Sequence, residues 1–252
     1  MQYGICSLSL LPVHETADGH SGLVTQLLYG ELFCLLESRK HWSRIRTQAD
    51  QTEGWVRNSQ VHSLEEAAYR ALEQESGGGC AADLVSHICT VDGVLLAVPL
   101  GASVRHAAHL GHSHEGAVFP QQGAGKEALV ETALLYLGTP EMQGGRSPFG
   151  IDAGGLSQMV YRSQGLLLKR NPNQQATQGV PLSFIEESDP GDLAFFDGPD
   201  GVINHVGIIM KDNYIIHCDG EVRIDRIDHT GIFNTSLRRY THPLRVIKKI
   251  AE

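Results

Sequence analysis

The segment 144–156 combines a glycine-rich turn with the start of a helix, and it is the first place where residue types suggest chemistry. It reads Gly-Gly-Arg-Ser-Pro-Phe-Gly-Ile-Asp-Ala-Gly-Gly-Leu, and apolar residues then recur at helical spacing. Asp152 is a suitable N-cap, which places residue 153 at the positive end of the helix dipole. An enzyme can stabilise a reactive thiolate there. This chain has Ala153 instead, and a methyl group cannot attack a substrate.

The same segment resembles the nucleophile segment of the NlpC/P60 cell-wall peptidases, which are papain-like cysteine hydrolases. Three further segments follow in the expected order: Gly-Asp-Leu-Ala-Phe-Phe at 191–196, Asn-His-Val-Gly-Ile at 204–208 and Ile-Ile-His at 215–217. The N-terminal half, with Tyr-Gly-Ile-Cys at 3–6 and Val-Thr-Gln-Leu-Leu-Tyr-Gly-Glu at 24–31, resembles the bacterial SH3 modules that precede such domains. The resemblance is weak only between about residues 65 and 120.

The resemblance and the order of the β-prone and helical runs predict an α+β protein. We expect N-terminal SH3-like β-barrel modules, followed by a papain-like NlpC/P60 domain in which helices precede an antiparallel sheet. The predicted regions are an SH3-like domain at 1–64, a helix and linker at 65–79, a second, degenerate SH3-like module at 80–120, and the NlpC/P60 domain at 121–252. Gly77 to Gly79 mark the expected domain boundary. The last region is predicted to contain a helix at 124–137 and strands at 192–196, 205–210, 214–218 and 222–227.

The family pattern implies a cysteine nucleophile, a histidine base and a residue that orients the base. In this sequence the base maps onto His205, the orienting residue onto His217, and the nucleophile position onto Ala153. The two histidines belong to consecutive strands of the predicted sheet. Because opposed residues of paired strands lie about 5 Å apart, we expect the two imidazoles to lie within about 8 Å of each other.

Further departures from the family pattern surround the missing nucleophile. Gly154 occupies the position of a family serine, and Glu-Met-Gln at 141–143 replaces the Tyr-x-Trp that usually precedes the two glycines. Several changes at one site favour a natural loss of catalysis over a single Cys-to-Ala substitution. Cys218 should face away from the site because neighbouring side chains on a strand point to opposite faces. Ser157 has no base that the sequence identifies nearby.

The resemblance also implies that the residue beside the nucleophile contacts the free amino group of a short peptide. Asp152 and Glu141 are therefore candidates for binding a substrate ammonium group, and Gly154 lies in the same predicted substrate site. The alternative is that Asp152 only caps its helix.

A second histidine-rich segment lies outside this domain. His106, His109, His112 and His114 fall within ten residues, a density that suggests metal binding. Neither an acidic residue nor a cysteine of ligand spacing lies among them, so we expect a solvated loop. The sequence gives no prediction of a metal or a cofactor.

Composition limits the classes of partner. The chain has 252 residues, 41% hydrophobic and 19% charged, and a formal net charge of −9. That charge argues against nucleic acid, since binding phosphates requires clustered Lys and Arg. Residues 1–13 lack a basic region and no run is long enough to span a membrane, so we expect neither an export signal nor a membrane partner. Five cysteines without a CxxC pair favour a cytoplasmic location.

The sequence thus predicts a catalytically inactive relative that binds a cell-wall-derived peptide of the L-Ala-γ-D-Glu-diamino acid type, such as a muropeptide fragment, or that regulates an active homologous peptidase. One alternative is a cysteine endopeptidase that cleaves the γ-D-glutamyl-diamino acid bond and is present here as a Cys-to-Ala variant at Ala153. Another is a non-enzymatic structural partner whose cleft has collapsed.

Overall fold

The computed structural model describes residues 2–75, 79–120 and 125–250, and the chain forms two compact units. The first comprises Met1–Gln122 and Gln143–Pro148, and the second comprises Gly123–Met142 and Phe149–Glu252. The regions 1–64 and 80–120 of the predicted domain organisation therefore lie within one unit. Gly77 and Gly78 of the expected boundary are outside the described residues. Among the helices of the described ranges, none has the length and apolar character needed to cross a membrane.

The first unit contains a seven-stranded antiparallel sheet, consistent with the SH3-like prediction. Its strands follow the order β3-β2-β6-β5-β4-β1-β7. Alternate residues of these strands point inwards and form an apolar core of Cys6, Leu11, Val13, Leu27, Phe33, Ile45 and Val56. The strand bounds are β1 (Gln2–Ile5), β2 (Leu10–His14), β3 (Leu23–Leu28), β4 (Leu32–Ser38), β5 (Trp42–Thr47), β6 (Glu53–Arg57) and β7 (His62–Leu64).

Helix α1 (Glu66–Gln74) follows this sheet and packs on it. Its buried residues Tyr69 and Leu72 contact a cluster with Tyr3, Ile5 and Leu32. The N-cap is Glu65, and its side chain makes no capping hydrogen bond. A small antiparallel sheet then follows in the order β10-β8-β9, formed by β8 (Val85–Cys89), β9 (Leu95–Pro99) and β10 (Ser113–Glu115). The short strand β11 (Arg146–Ser147) also belongs to this unit.

The second unit places its helices before its large sheet, as predicted. Helix α2 (Lys126–Leu134), strand β12 (Gly150–Ile151), helix α3 (Ala153–Arg162) and the short helix α4 (Pro172–Gln175) precede the strands. Helix α2 is shorter than the predicted 124–137, and residue 124 lies outside the described residues. The strands are β13 (Val180–Leu182), β14 (Leu193–Asp197), β15 (Ile203–Met210), β16 (Tyr214–Asp219), β17 (Glu221–Ile227), β18 (Gly231–Asn234) and β19 (Arg239–Lys249).

Strands β14 to β19 close into a six-stranded antiparallel barrel. Each pairs with the next along the chain, β19 also pairs with β14, and β13 adds to the free side of β19. Seven apolar residues fill the interior, two from β14 and one from each of the other five strands: Ala194, Phe196, Ile209, Ile215, Ile227, Ile232 and Ile247. The sequence prediction ended the sheet at residue 227. The last two strands close the barrel and bring an additional histidine to the site.

Candidate functional site

The start of helix α3 has the predicted geometry. Asp152 is the N-cap in an extended conformation, and its Oδ1 accepts a hydrogen bond from Gly155 N at 2.7 Å. Arg170 donates to both oxygens of the same carboxylate, at 2.8 Å to Oδ1 and 2.7 Å to Oδ2. Ala153, 7% exposed, is the first residue of the helix. The position where the resemblance places a thiolate is therefore a helix N-terminus that carries a methyl group.

Packing explains the glycine that follows Ala153. A Cβ atom at Gly154 would lie 2.5 Å from the backbone oxygen of Arg170, closer than van der Waals contact allows. A serine here would force the Arg170 segment to move. The sequence interpretation of Gly154 as a lost substrate hydroxyl thus misses a structural requirement for glycine. Ser157 is also structural, since its Oγ donates to Gln175 Oε1 at 2.7 Å.

The two predicted histidines lie side by side inside the barrel. His205 Nε2 is 2.9 Å from His217 Nδ1, and the ring centroids are 5.1 Å apart. This confirms the expected proximity within about 8 Å. The register differs from direct opposition, since His217 pairs with Gly207 and His205 lies diagonally from it. The catalytic roles of the two residues remain predictions.

Asp225 extends this pair into a chain of three groups. Its Oδ2 lies 3.1 Å from His217 Nε2 and also accepts from Arg223 Nε at 2.7 Å. Burial raises the pKa of Asp225, but the hydrogen bonds from His217 and Arg223 outweigh burial and lower it overall. An ionised carboxylate only accepts hydrogen bonds, so we place the proton of His217 on Nε2, which leaves its Nδ1 as an acceptor. The facing Nε2 of His205 then carries the proton that it donates to this Nδ1. This leaves the lone pair of His205 on Nδ1, the nitrogen that would act as a base.

His242 is a third histidine at the same end of the barrel, and the sequence analysis missed it. Its ring stacks on His205 with centroids 4.1 Å apart and an angle of 24° between planes, and it lies edge-on to His217 at 5.7 Å. Strand β19 carries His242, and Pro243 in its middle argues against a strand there. The alternation of Tyr240, His242 and Leu244 was the available signal.

Burial makes two rings of this cluster, His205 and His242, resistant to protonation. It lowers the pKa of His205 well below the ordinary value, and the neighbouring His217 and His242 lower it further. Burial also lowers the pKa of His242, followed by the effect of His217. At neutral pH both rings are therefore uncharged.

Glu141 and Cys218 are placed outside this cluster. Glu141 is exposed, and its Oε2 accepts from Gly220 N at 2.8 Å, which ties it to the turn between β16 and β17. Cys218 donates its thiol to Ile151 O at 3.2 Å. Burial, with the charge of Glu141, raises the pKa of Cys218 to about 12, so the thiol stays protonated. Ile151 directly precedes the Asp152 cap, so the orientation of Cys218 away from the site stays a prediction.

The histidine-rich segment of the first unit is not the solvated loop that we expected. Residues Val104–Leu110 form a 3-10 helix, and His106 is 2% exposed with Nδ1 2.7 Å from Gly30 O. His112 Nδ1 is 2.9 Å from the Tyr29 hydroxyl, and His114 Nε2 is 2.9 Å from Ser86 Oγ. Each ring has a partner of its own, because the backbone directs successive histidines to different neighbours.

Two segments of the chain match models of known protein families. Residues 138–240 match the model of the NlpC/P60 family, and residues 13–61 match that of the bacterial dipeptidyl-peptidase Sh3 domain. Dipeptidyl-peptidase 6 of Lysinibacillus sphaericus is 33% identical over 113 residues, which are 43% of this chain and 39% of that protein. The gamma-D-glutamyl-L-lysine dipeptidyl-peptidase of Bacillus cereus is 34% identical over 91 residues, 35% of this chain and 27% of that protein.

These alignments span less than two fifths of each of those two relatives. A solved structure of an NlpC/P60 family protein from Bacillus cereus covers more of the chain. It aligns with 98% of this chain and 99% of its own, with a TM-score of 0.76 and 16% identity. At that identity the likeness establishes the fold alone.

Proposed function

We propose that the chain binds a cell-wall-derived peptide without cleaving it, because its residues 138–240 match the NlpC/P60 family and residues 13–61 match a bacterial dipeptidyl-peptidase Sh3 domain. The observation behind the proposal is the alanine at the start of helix α3, in a domain that keeps the hydrogen-bonded His205 and His217. The names of two relatives that act as gamma-D-glutamyl-L-lysine dipeptidyl-peptidases support a ligand of the L-Ala-γ-D-Glu-diamino acid type.

The chemistry of the site supports binding over hydrolysis. The family reaction passes through an acyl intermediate on a thiolate, and Ala153 has no atom that can form the new bond. Cys218 does not replace the missing thiol, because burial raises its pKa to about 12 and it bonds to Ile151 O. His205 retains a basic nitrogen but has no partner nucleophile in this proposal.

Asp152 is the proposed contact for the ammonium group of the peptide. Since Arg170 donates two hydrogen bonds to its carboxylate, the ligand would share Asp152 with a guanidinium group. Glu141 is a weaker candidate because its carboxylate is exposed and bonds to Gly220 N. Replacing Asp152 would also remove a helix cap, so Glu141→Gln is the cleaner test of an acidic contact.

The first experiment measures binding and turnover of L-Ala-γ-D-Glu-diaminopimelate and its lysine counterpart by calorimetry and product analysis. We expect saturable binding, and turnover equal to that of His205→Ala. Turnover above that control contradicts the absence of catalysis. Absence of binding at millimolar peptide contradicts peptide recognition and favours a structural partner or a regulator of an active homologous peptidase.

The second experiment tests the alternative of an inactivated cysteine endopeptidase. We expect Ala153→Cys to gain one thiol that iodoacetamide labels, because a helix N-terminus favours the thiolate. Peptide cleavage should stay at least about a hundredfold below that of an active relative, since a misplacement of about 1 Å costs this much. Robust turnover by Ala153→Cys would instead show that the site is intact apart from its nucleophile.

The structure changes how activity could be restored. A triple variant with Glu141→Tyr and Gly154→Ser follows the family pattern, yet a Cβ at position 154 would meet Arg170 O at 2.5 Å. We therefore propose Ala153→Cys with Glu141→Tyr as the better-folded combination. We also propose a reducing, cytoplasmic setting, supported by five free cysteines.

A further inference from the structure

Three histidines from three different strands converge at one end of the barrel in the second unit. Each of His205, His217 and His242 has a ring nitrogen within 4.8 Å of a ring nitrogen of the other two. They are separated by 12 and 25 positions in the sequence, so only closure of the barrel brings them together. From this convergence we propose that the three histidines bind one divalent transition metal ion of the zinc class. The proposal is independent of peptide binding.

The spacing of the nitrogens is close to that of a metal site. Zinc binds histidine nitrogen at about 2.0–2.1 Å, so two ligands of a tetrahedral ion lie about 3.3 Å apart. His205 Nε2 and His217 Nδ1 are 2.9 Å apart, and the third nitrogen lies within 4.8 Å. The proposal requires the ring of His242, which stacks on that of His205 at 4.1 Å between centroids, to rotate until its nitrogen reaches coordination distance. His242 is the least buried of the three, which allows this movement.

Binding requires one proton to change place. The hydrogen bond between His205 Nε2 and His217 Nδ1 is replaced by the ion, and the proton of His205 moves from Nε2 to Nδ1. Both facing nitrogens then offer a lone pair, and no proton has to leave the ring of either residue. This arrangement keeps all three imidazoles neutral, the form in which histidine coordinates metals.

The surrounding groups match those that orient metal ligands. A coordinating histidine usually donates its second ring nitrogen to a carboxylate or another acceptor. Asp225 Oδ2 lies 3.1 Å from His217 Nε2, and Arg223 holds that carboxylate at 2.7 Å. Thr241 Oγ1 lies 2.9 Å from His242 Nδ1, which leaves Nε2 of His242 for coordination. Two of the three ligands therefore have an orienting partner.

The donor set selects the class of ion. Imidazole nitrogens suit zinc, copper, nickel and cobalt, whereas calcium and magnesium prefer oxygen ligands. Three protein ligands leave a fourth position of a tetrahedral ion for water or another small ligand. His242 is half-buried, whereas His205 and His217 are buried, so we place the access of solvent and of an ion at His242.

The test is a titration of the full chain, first stripped of metal with a chelator. Calorimetry with Zn²⁺ should give one site per chain, with a dissociation constant in the micromolar range or below, and Co²⁺ should give the visible absorption of a tetrahedral complex. His242→Ala should weaken binding at least tenfold. Asp225→Asn should weaken it about 10- to 100-fold.

His229→Ala is the matched control, because His229 is an exposed histidine of the same unit. It should bind zinc as the unchanged chain does. Equal affinity of His242→Ala and His229→Ala, or the lack of a one-to-one site, overturns the proposal. His242→Asn, checked by circular dichroism without metal, serves if His242→Ala misfolds. Peptide is absent from this assay, so failure of peptide binding leaves its outcome unaffected.

Discussion

The two histidine groups of this chain differ in how sequence distance relates to distance in space. The clustered group, His106, His109, His112 and His114, spans nine residues, and its rings hydrogen-bond to Gly30, Glu75, Tyr29 and Ser86 respectively, with Glu75 also 3.8 Å from His106. The converging group, His205, His217 and His242, spans 38 residues, and its rings contact each other in the second unit. Density along the chain therefore failed to identify the group whose nitrogens converge.

The physical reason is the direction in which a backbone presents successive side chains. In a 3-10 helix residues i and i+3 lie on the same face, so His106 and His109 both approach Glu75, whereas His112 and His114 follow the helix and contact Tyr29 and Ser86. A closed barrel directs alternate residues of every strand into one interior. Residues that are far apart in sequence then meet at the same level of the barrel, provided that their strands are in register.

The largest expected effect tests whether the converging group acts as one network. Asp225→Ala removes the acceptor of His217 and the partner of Arg223 inside the barrel. We expect a loss of about 3 kcal/mol in the free energy of unfolding of the second unit, because buried polar groups lose their partner. Native-state hydrogen exchange of β14 to β19 measures this loss.

Glu221→Ala is the control for that variant, since Glu221 is exposed on the same strand. It should change the free energy by less than about 0.5 kcal/mol. A similar result for the two variants would show that Asp225 does not hold the histidines in place.

The second effect is the dependence of stability on pH in the presence of a chelator. Burial lowers the pKa of His205, so below about pH 6.5 the unfolded chain binds a proton that the folded chain does not. The contribution of His205 to the stability of the second unit is therefore fully present above about pH 6.5 and is lost as the pH falls. In the pH range where only the unfolded chain is protonated, the slope for His205 approaches about 1.4 kcal/mol per pH unit.

His242 adds to this slope, because burial lowers its pKa as well. A His205→Gln variant should lose the part of the slope that His205 contributes, as measured by hydrogen exchange corrected for the intrinsic effect of pH. An unchanged slope would mean that His205 is protonated in the folded chain.

The sequence predicted those parts of the fold that depend on local pattern. The Asp152 cap, the helix after it and the strands that carry His205 and His217 all follow from spacing and turn residues. It did not predict strands β18 and β19, because Pro243 interrupts a pattern that only barrel closure supports. It also missed Asp225 as the partner of His217, and the ion pair between Arg170 and Asp152. Such long-range pairs leave no local signal in the sequence.

The third effect concerns the buried member of the clustered group. His106 Nδ1 donates to Gly30 O at 2.7 Å, and Arg105 Nε donates to His106 Nε2 at 3.2 Å. His106→Ala should lower the free energy of unfolding of the first unit by about 2 kcal/mol, because a buried carbonyl loses its donor. Trp42 and Trp55 are the two tryptophans of the chain and both lie in this unit, so their fluorescence during urea unfolding reports the change. An unchanged midpoint would contradict a structural role for His106.

The smallest expected effect comes from the exposed member of the same group. His109 Nε2 lies 3.1 Å from Glu75 Oε1, and both side chains are 41% exposed. Exposed polar pairs contribute about 0–1 kcal/mol, because water competes for both partners and holding two side chains together costs entropy. His109→Ala should therefore lower the free energy of unfolding of the first unit by less than about 0.5 kcal/mol, measured by the same fluorescence.

If the clustered histidines instead act as a network, His109→Ala would approach the effect of His106→Ala, and the double variant would cost less than the sum of the two. Additive losses would show that each ring contributes alone, which separates this group from the converging one.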